Sequence, residues 1–449
     1  MCSSDLDKVT DRKKYIVRSL EVILEKRGIL LSLKDLQSPK KVGEILFVHL
    51  KLECPTGTKR ATDKESLMKL RKQYASDAEV SQIVSFIQEF RSLSSLLSKQ
   101  LSAFTSQHVV YNDSDRTEKV YASQVQIASE TGRLAVINPN LQNIPHAISI
   151  EDEHGNRVNI NFRRGFVASD PEHYVLMSAD YRQIECRMMA HLANDVTLIH
   201  IMKEHQRDLF EEIACEFFSH DSVDQVTTEE RDTVKTIFYG ILYGMGATRL
   251  GESIREMREK SHHGPSIITN NNRKQEDYTE EAKQYIETLM TRFPAIRTYT
   301  RKTVPEMLEQ KGYVQTLSGR RRYLEESKSK NPDDQASAKR KALSTICQGS
   351  AADLIKIAMI NIFHELEQMN REQARPIANL VLQIHDELIF EVRRDSMDRV
   401  AAMVKSNMEN AAVTPICGQY TVIPPLLVNT PVKLQVGNNW AEMTEYHLP

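Results

Sequence analysis

Cysteine is scarce and scattered: six in 449 residues, at Cys2, Cys54, Cys186, Cys215, Cys347 and Cys417, with no CxxC pair. That spacing argues against a disulfide framework and a zinc ribbon, and it points to a reducing compartment inside the cell. No uninterrupted apolar stretch approaches the ~18–20 residues that cross a bilayer, so no membrane is expected among the partners. The first residues, Met1-Cys2-Ser3-Ser4-Asp5, lack the apolar core of a secretory signal. An excess of one charge is missing too. With 59 Lys plus Arg against 61 Asp plus Glu, the formal net charge is −2 and gives no global sign of nucleic acid. There is no internal repeat.

What is present fits a globular chain of about three structural units: 40% apolar and 27% charged residues. Charge is patterned locally, as Arg320-Arg321-Arg322 and Lys339-Arg340-Lys341. Such runs are either solvated faces or part of a localised basic surface. Apolar spacing predicts helices over 16–31 and 80–104, with Ser38-Pro39 as a helix start between them. Residues 111–195 change to turn-rich loops and short strands. Within them 173–179 reads as a buried strand ending at Asp180, with a helix from about Gln183 that puts Ile184, Arg187, Met188 and His191 on one stripe. Residues 196–345 read as mostly helical, interrupted by a polar insertion at 261–277; a second insertion is expected at 413–428. A helix over 351–369 precedes two apolar strands, 380–392, around an acidic turn. The class is α+β, with helices on both sides of a small antiparallel sheet.

The acidic turn would present Asp386 beside Glu387, although polar hairpin turns are common without function. Asp180 ends another apolar strand. If the two strands are neighbours, the two aspartates converge at one sheet edge and repel unless divalent metal bridges them. Two Mg²⁺ ions ~3.5–4 Å apart on such a pair form the site of in-line phosphoryl transfer. A third element starts at Thr227, which forms a capping-box pattern with Glu230. Arg231, Lys235, Tyr239 and Tyr243 follow at four-residue steps on one helical stripe. Two cations and then two rings suit a nucleoside triphosphate, or else an amphipathic helix with core tyrosines and solvated cations. Gly240, Gly244 and Gly246 would loosen the end of that helix.

Together these segments resemble family A DNA polymerases. Ser178-Ala179-Asp180-Tyr181-Arg182-Gln183-Ile184-Glu185-Cys186-Arg187 is similar to the family's motif A, residues 231–244 (RDTVKTIFYGILYG) to motif B, and Gln383-Ile384-His385-Asp386-Glu387 to motif C. Thr131-Gly132-Arg133-Leu134 with residues 139–145 (PNLQNIP) resembles the primer-template segment. Residues 348–353 (QGSAAD) resemble the palm helix entry, and 38–47 (SPKKVGEILF) the thumb. The resemblance implies a right-hand polymerase fold: thumb over 1–110, palm over 111–195, helical fingers over 196–345, and palm again over 346–449. Residues 239–247 (YGILYGMGA) and the two polar insertions are most similar to the theta branch. No GxxxxGK[ST] pattern occurs, so the likeness is to the polymerase module alone. The stretch ahead of the thumb is too short for a proofreading nuclease.

Carried over residue by residue, the resemblance implies that Asp180, Asp386 and the Tyr181 carbonyl ligate two Mg²⁺, or Mn²⁺ in their place, with Glu387 as an accessory acid. Gln183, Arg231 and Lys235 would bind the nucleotide, with Lys235 placed to protonate the leaving group. Glu185 would exclude a ribose 2′-hydroxyl, Tyr239 would pack on the incoming nucleotide, and Tyr243 would cap the templating position. Arg133, Asn140, Gln142, Arg340, Gln348 and His385 would contact primer-template DNA. The implied partners are primer-template DNA, dNTPs and a helicase-like domain or subunit, and the implied place is the nucleus. The implied role is DNA synthesis in repair, such as double-strand break end joining or translesion synthesis. A bacterial polymerase I-like or polymerase nu-like repair enzyme, and a module that holds DNA ends without extending them, are the alternatives. Arg182, Cys186, Phe210-Glu211, Ser344 and Ala135-Val136 depart from the family's usual residues. Arg182 adds a cation near the triphosphate, and Phe210-Glu211 puts one phosphate contact in doubt.

Overall fold

A computed structural model describes residues 2–54, 60–101, 109–112, 117–152, 155–203, 208–261, 275–418 and 421–449. Contacts divide the chain into two compact units, each assembled from separate stretches. The first comprises Met1–Val125, Ala135–Leu176 and Gly437–Thr444. Its helices are α1 (Cys2–Glu25), α2 (Leu33–Gln37), α3 (Pro39–Glu44), α4 (Lys64–Gln73) and α5 (Ala78–Ser95). Helix α1 starts well before the expected residue 16, because Val9 already belongs to the buried stripe with Ile16, Leu20 and Leu24. It ends early because Gly28 turns the chain at a φ of 69°. The Ser38 side chain caps α3 by accepting from the Lys41 N–H, with Pro39 in the first turn as expected. Helix α5 is capped by Asp77 and packs on α1 through Ile83, Ile87 and Phe90. The last residues of the expected 80–104 helix lie outside the described set. Three two-stranded ribbons complete the unit: β1 (Val109–Asn112) with β2 (Thr117–Val120), β3 (Ser123–Val125) with β4 (Ala135–Ile137), and β5 (Ile148–Glu151) with β6 (Arg157–Ile160).

The second unit comprises Gln126–Leu134, Met177–Val436 and Glu445–Pro449. A five-stranded sheet is ordered β10-β11-β7-β12-β13, where β7 is Tyr174–Tyr181, β10 Ala378–Ile384, β11 Glu387–Arg393, β12 Val432–Gly437 and β13 Thr444–Glu445. The run 174–179 in β7 is buried on both faces, which explains its unbroken apolar texture. Strands β10 and β11 form an antiparallel hairpin in which Ile384 pairs with Glu387. The turn is therefore His385-Asp386, and Glu387 opens the second strand instead of sharing the turn. His385 takes a φ of 51°, as the first central residue of a tight hairpin can require.

The helices of this unit are α6 (Ile184–Ala193), α7 (Val196–Lys203), α8 (Leu209–Phe217), α9 (Thr228–Leu242), α10 (Ala247–Ser261), α11 (Gln275–Arg292), α12 (Pro294–Thr298), α13 (Val304–Lys311), α14 (Pro332–Asn370) and α15 (Met397–Glu409). A small hairpin joins β8 (Tyr313–Gln315) to β9 (Arg321–Tyr323). The expected insertion at 261–277 lies mostly outside the described residues, and α11 has already begun at Gln275. The expected 351–369 helix is the second half of α14, whose polar first half gave no apolar period. Among the described residues α14 is one helix long and apolar enough in part to cross a membrane, but 72% of that stretch is buried within the protein. Its apolar residues occupy every face, as in a core helix. Val304, Leu308, Val314, Leu324, Ala342 and Ile346 form a buried cluster against its first half.

Candidate active site

The C-terminal end of β7 and the β10–β11 turn bring Asp180 and Asp386 together. The Tyr181 N–H donates to the Asp386 carbonyl at 3.3 Å, so the two segments are joined through the backbone. Tyr181 is buried and its hydroxyl donates to the Met408 carbonyl at 2.7 Å, which anchors the strand end. Gln183 then takes a left-handed φ of 51° and turns the chain into α6. Asp180 is open to a concave cavity, yet the walls limit its hydration and two carboxylates adjoin it. Desolvation, then Glu387, then Asp386 push its pKa up to about 7, against the pull of Lys433 and Lys235. Desolvation also raises Asp386, outweighing Arg133 and His385. Glu387 accepts a hydrogen bond from the Ser178 hydroxyl one turn of pleat before Asp180.

Among the described residues no group of three or more His, Cys, Asp or Glu is poised as a ready metal cage. Two carboxylates with raised pKa values and a strand-end carbonyl still suit Mg²⁺, which uses one or two carboxylates and fills its other positions with water and substrate phosphate.

Arg133 reaches this centre. Its guanidinium donates to Glu185 and lies 3.4 Å from Asp386 Oδ1. Glu185 is buried, and the Tyr243 hydroxyl donates to its other oxygen. Burial raises the Glu185 carboxyl in spite of Arg133. A staple delivers Arg133 there. Arg320 donates to the Thr131 carbonyl at 2.7 Å and to Asp353 Oδ1 at 3.1 Å. Gly132, at a φ of 83°, lets the loop approach so closely that a Cβ would sit 2.5 Å from Arg320 Cζ. The basic run at 320–322 is thus partly internal: Arg322 binds Glu130 and the Thr345 hydroxyl, and Arg321 lies over the Tyr313 ring at 4.9 Å. In the run at 339–341, Lys341 pairs with Glu326 at 2.7 Å, whereas Lys339 and Arg340 are exposed.

Helix α9 begins with the expected capping box, Thr227 and Glu230 each accepting from the other's N–H. Arg231, Lys235 and Tyr239 fall on one face, and Tyr243 caps the end before Gly244 turns out at a φ of 73°. The Tyr239 and Tyr243 rings are nearly parallel, 6.4 Å apart. Arg231 is braced by Asp208 at 2.7 Å and Glu211 at 3.8 Å, and Gln183 donates to the same Asp208 carboxylate at 3.2 Å. Lys235 lines two cavities. One, of about 1210 Å³, also takes in Asp180, Gln183 and Arg231; the other, of about 1060 Å³, takes in Tyr239, Tyr243 and Arg340. Gln348 accepts from Ser344 at 3.1 Å and bonds Glu185, and His385 is exposed in the hairpin turn. Asn140 and Gln142 belong to the first unit, where the Asn140 side chain accepts from the Gln142 N–H.

Asp180, with Asp386 beside it, shares one cavity of the second unit with the cationic stripe of α9, and Lys235 joins that cavity to the one lined by the two stacked tyrosines. The sequence model described as DNA polymerase family A matches residues 21–442. The chain belongs to DNA polymerase family A. DNA polymerase I of Pseudomonas aeruginosa is 34% identical over 410 residues, covering 91% of this chain and 38% of that protein. DNA polymerase I of Geobacillus stearothermophilus is 35% identical over 379 residues, covering 84% and 38%. The thermostable DNA polymerase I of Thermus aquaticus is 32% identical over 417 residues, covering 92% and 42%. This chain thus spans about two fifths of the length of these relatives. Among solved structures, the POL domain of Pol1 from M. smegmatis, in complex with DNA primer-template and dNTP, superimposes with a TM-score of 0.73 at 30% identity. That match covers 98% of this chain and 66% of the other.

Within the family frame several residues escape a reading of motifs. Asp208 caps α8 and braces both Arg231 and Gln183; an Asp ahead of a run with helical apolar spacing is the usual mark of a cap, but nothing local marks the ion pair. Ser178 and Arg320 join segments far apart in sequence, and the charge of Lys433 acts on Asp180; no spacing announces these links. The departures also find places. Phe210 is buried against the Phe238 and Tyr239 rings, 5.9 and 5.7 Å away, so it packs the helix face. Cys186 is buried beside the Tyr239 hydroxyl, and burial pushes its thiol up to about 12.

Proposed function

We propose that this chain is a template-directed DNA polymerase that joins the primer 3′-oxygen to the α-phosphorus of a dNTP and releases pyrophosphate. The observation that carries the reading is the backbone bond that brings Asp386 to the end of β7 beside Asp180, whose cavity Arg231 and Lys235 also line. Two Mg²⁺ held by these carboxylates and the Tyr181 carbonyl would neutralise charge on the phosphates and lower the pKa of the primer hydroxyl. Arg231 and Lys235 bind the triphosphate, and Lys235 is placed to give a proton to the leaving pyrophosphate. Tyr239 packs on the nucleotide, while Tyr243 holds Glu185 where a ribose 2′-hydroxyl would intrude. Arg133, Gln348, Arg340, His385, Asn140 and Gln142 contact primer and template, a set whose hydrogen bonds test pair shape instead of sequence. The test is extension of a labelled primer by one template-dictated dNTP in Mg²⁺. Incorporation of only the complementary nucleotide is expected, and binding of the duplex without extension would contradict the proposal.

Similarity at 239–247, the polar insertion at 261–277 and the insertion at 413–428 support a theta-like repair polymerase, without proofreading and acting in the nucleus beside a helicase-like partner. Extension across an abasic template site is the expected behaviour of that type. Stalling there would favour the polymerase I-like alternative, to which the bacterial relatives correspond.

A further inference from the structure

The cavity that Asp180 lines has a second cationic wall besides the α9 stripe, made by Lys433, which has no role above, and Arg182, which the family resemblance places only as a cation near the triphosphate. Arg182 directly follows the end of β7, two residues after Asp180. Its backbone is clamped, the N–H donating to the Pro431 carbonyl at 2.9 Å and the carbonyl accepting from Arg187 Nε at 2.9 Å. The guanidinium is left half exposed on the cavity. Lys433, on the strand next to β7, lines the same cavity, and its charge acts on Asp180 more strongly than that of Lys235. One carboxylate bridges the two cations: Glu445 lies 3.1 Å from Arg182 Nη2 and 3.5 Å from Lys433 Nζ. It is held over them because the Tyr446 N–H donates to the Leu434 carbonyl at 2.9 Å. Glu409, another acid of the cavity, is engaged elsewhere, accepting from the Val432 N–H at 3.0 Å.

We infer that Arg182 and Lys433 form a diphosphate-binding clamp, occupied by Glu445 when no ligand is present. Exposed ion pairs of this kind contribute little stability, so a phosphate group can displace the Glu445 carboxylate readily. A guanidinium fork beside an ammonium matches two adjacent phosphates, and the multiply charged ligand gains more from the pair than one carboxylate does. Because the clamp adjoins Asp180, the diphosphate it takes is either the leaving group after transfer or the outer part of a bound dNTP. The inference rests on the polymerase reading for its biological ligand, but not for its test.

Calorimetric titration of the DNA-free protein with inorganic pyrophosphate, and separately with a dNTP, both in Mg²⁺, measures the clamp directly. Arg182→Ser should weaken binding about tenfold or more, and Arg182→Lys should restore part of the loss. Glu445→Gln should tighten binding, a change in the opposite direction that no folding defect would mimic. A loss confined to pyrophosphate assigns the clamp to product release, and a loss shared by the dNTP assigns it to the bound triphosphate. Unchanged affinity for both ligands in Arg182→Ser and Glu445→Gln would overturn the inference. Primer extension by the wild type, run alongside, separates the two claims: pyrophosphate binding that depends on Arg182 in a protein that cannot extend primers would uphold the clamp and end the polymerase reading.

Discussion

At the scale of single residues, the Asp180 carboxyl carries the clearest electrostatic signature. It ionises near pH 4 in an unfolded chain but only at about 7 in the fold. The ionised form is therefore disfavoured in the native state, and the penalty grows as pH rises between these values and stays constant above them. In EDTA, Asp180→Asn should raise the melting temperature at about pH 8 and leave it unchanged near pH 4, and saturating Mg²⁺ should narrow the difference at high pH. A variant that melts lower than wild type at about pH 8 would show that no such repulsion exists. Glu185 yields a different readout. Its carboxylate is fixed by Arg133 and Tyr243, so Glu185→Ala should raise rNTP use relative to dNTP about tenfold or more in single-nucleotide incorporation. An unchanged ratio would remove Glu185 from the selection of sugar. Motif order exposed both residues in the sequence, but not the Arg133 contact with Asp386, which depends on a loop 253 residues away.

At the scale of elements, α9 was the most legible part of the chain, since its start is written in a local pattern. The Thr227–Glu230 box and the four-residue step of Arg231, Lys235 and Tyr239 need no tertiary information. Thr227→Ala should cost about 1 kcal/mol in denaturant unfolding, and a neutral effect would mean that the first turn is held by other contacts. The hairpin of β10 and β11 was legible from its apolar arms, but its turn sits one residue earlier than the acidic pair suggested. Helix α14 was only half legible: its apolar second half was expected as a helix over 351–369, whereas its charged and polar first half carries no apolar period to reveal it. Least visible was the staple that joins Thr131, Arg320, Gly349 and Asp353, four positions with no shared local pattern. Gly132→Ala probes it, since the new methyl group would meet Arg320 and strain a positive φ. Lower thermal stability is expected, by about 1–3 kcal/mol, and a variant as stable as wild type would show that Arg320 can yield at no cost.

At the scale of the molecule, motifs scattered from residue 38 to residue 387 announced the family, because their order survives where local patterns are ambiguous. The compact units could not be read in the same way. The first takes in residues 135–176 and 437–444 as well as the N-terminal part, and the expected boundary between 345 and 346 falls inside α14. Linear segments follow changes in composition, whereas the units follow contacts between distant stretches. The most direct test of the whole reading is primer extension with all four dNTPs in Mg²⁺, comparing wild type with Asp386→Asn at equal occupancy of the primer-template. Wild type should extend, and the variant should bind the duplex but extend it on the order of a thousandfold more slowly. Equal rates for the two proteins would contradict the claim that chemistry occurs between Asp180 and Asp386.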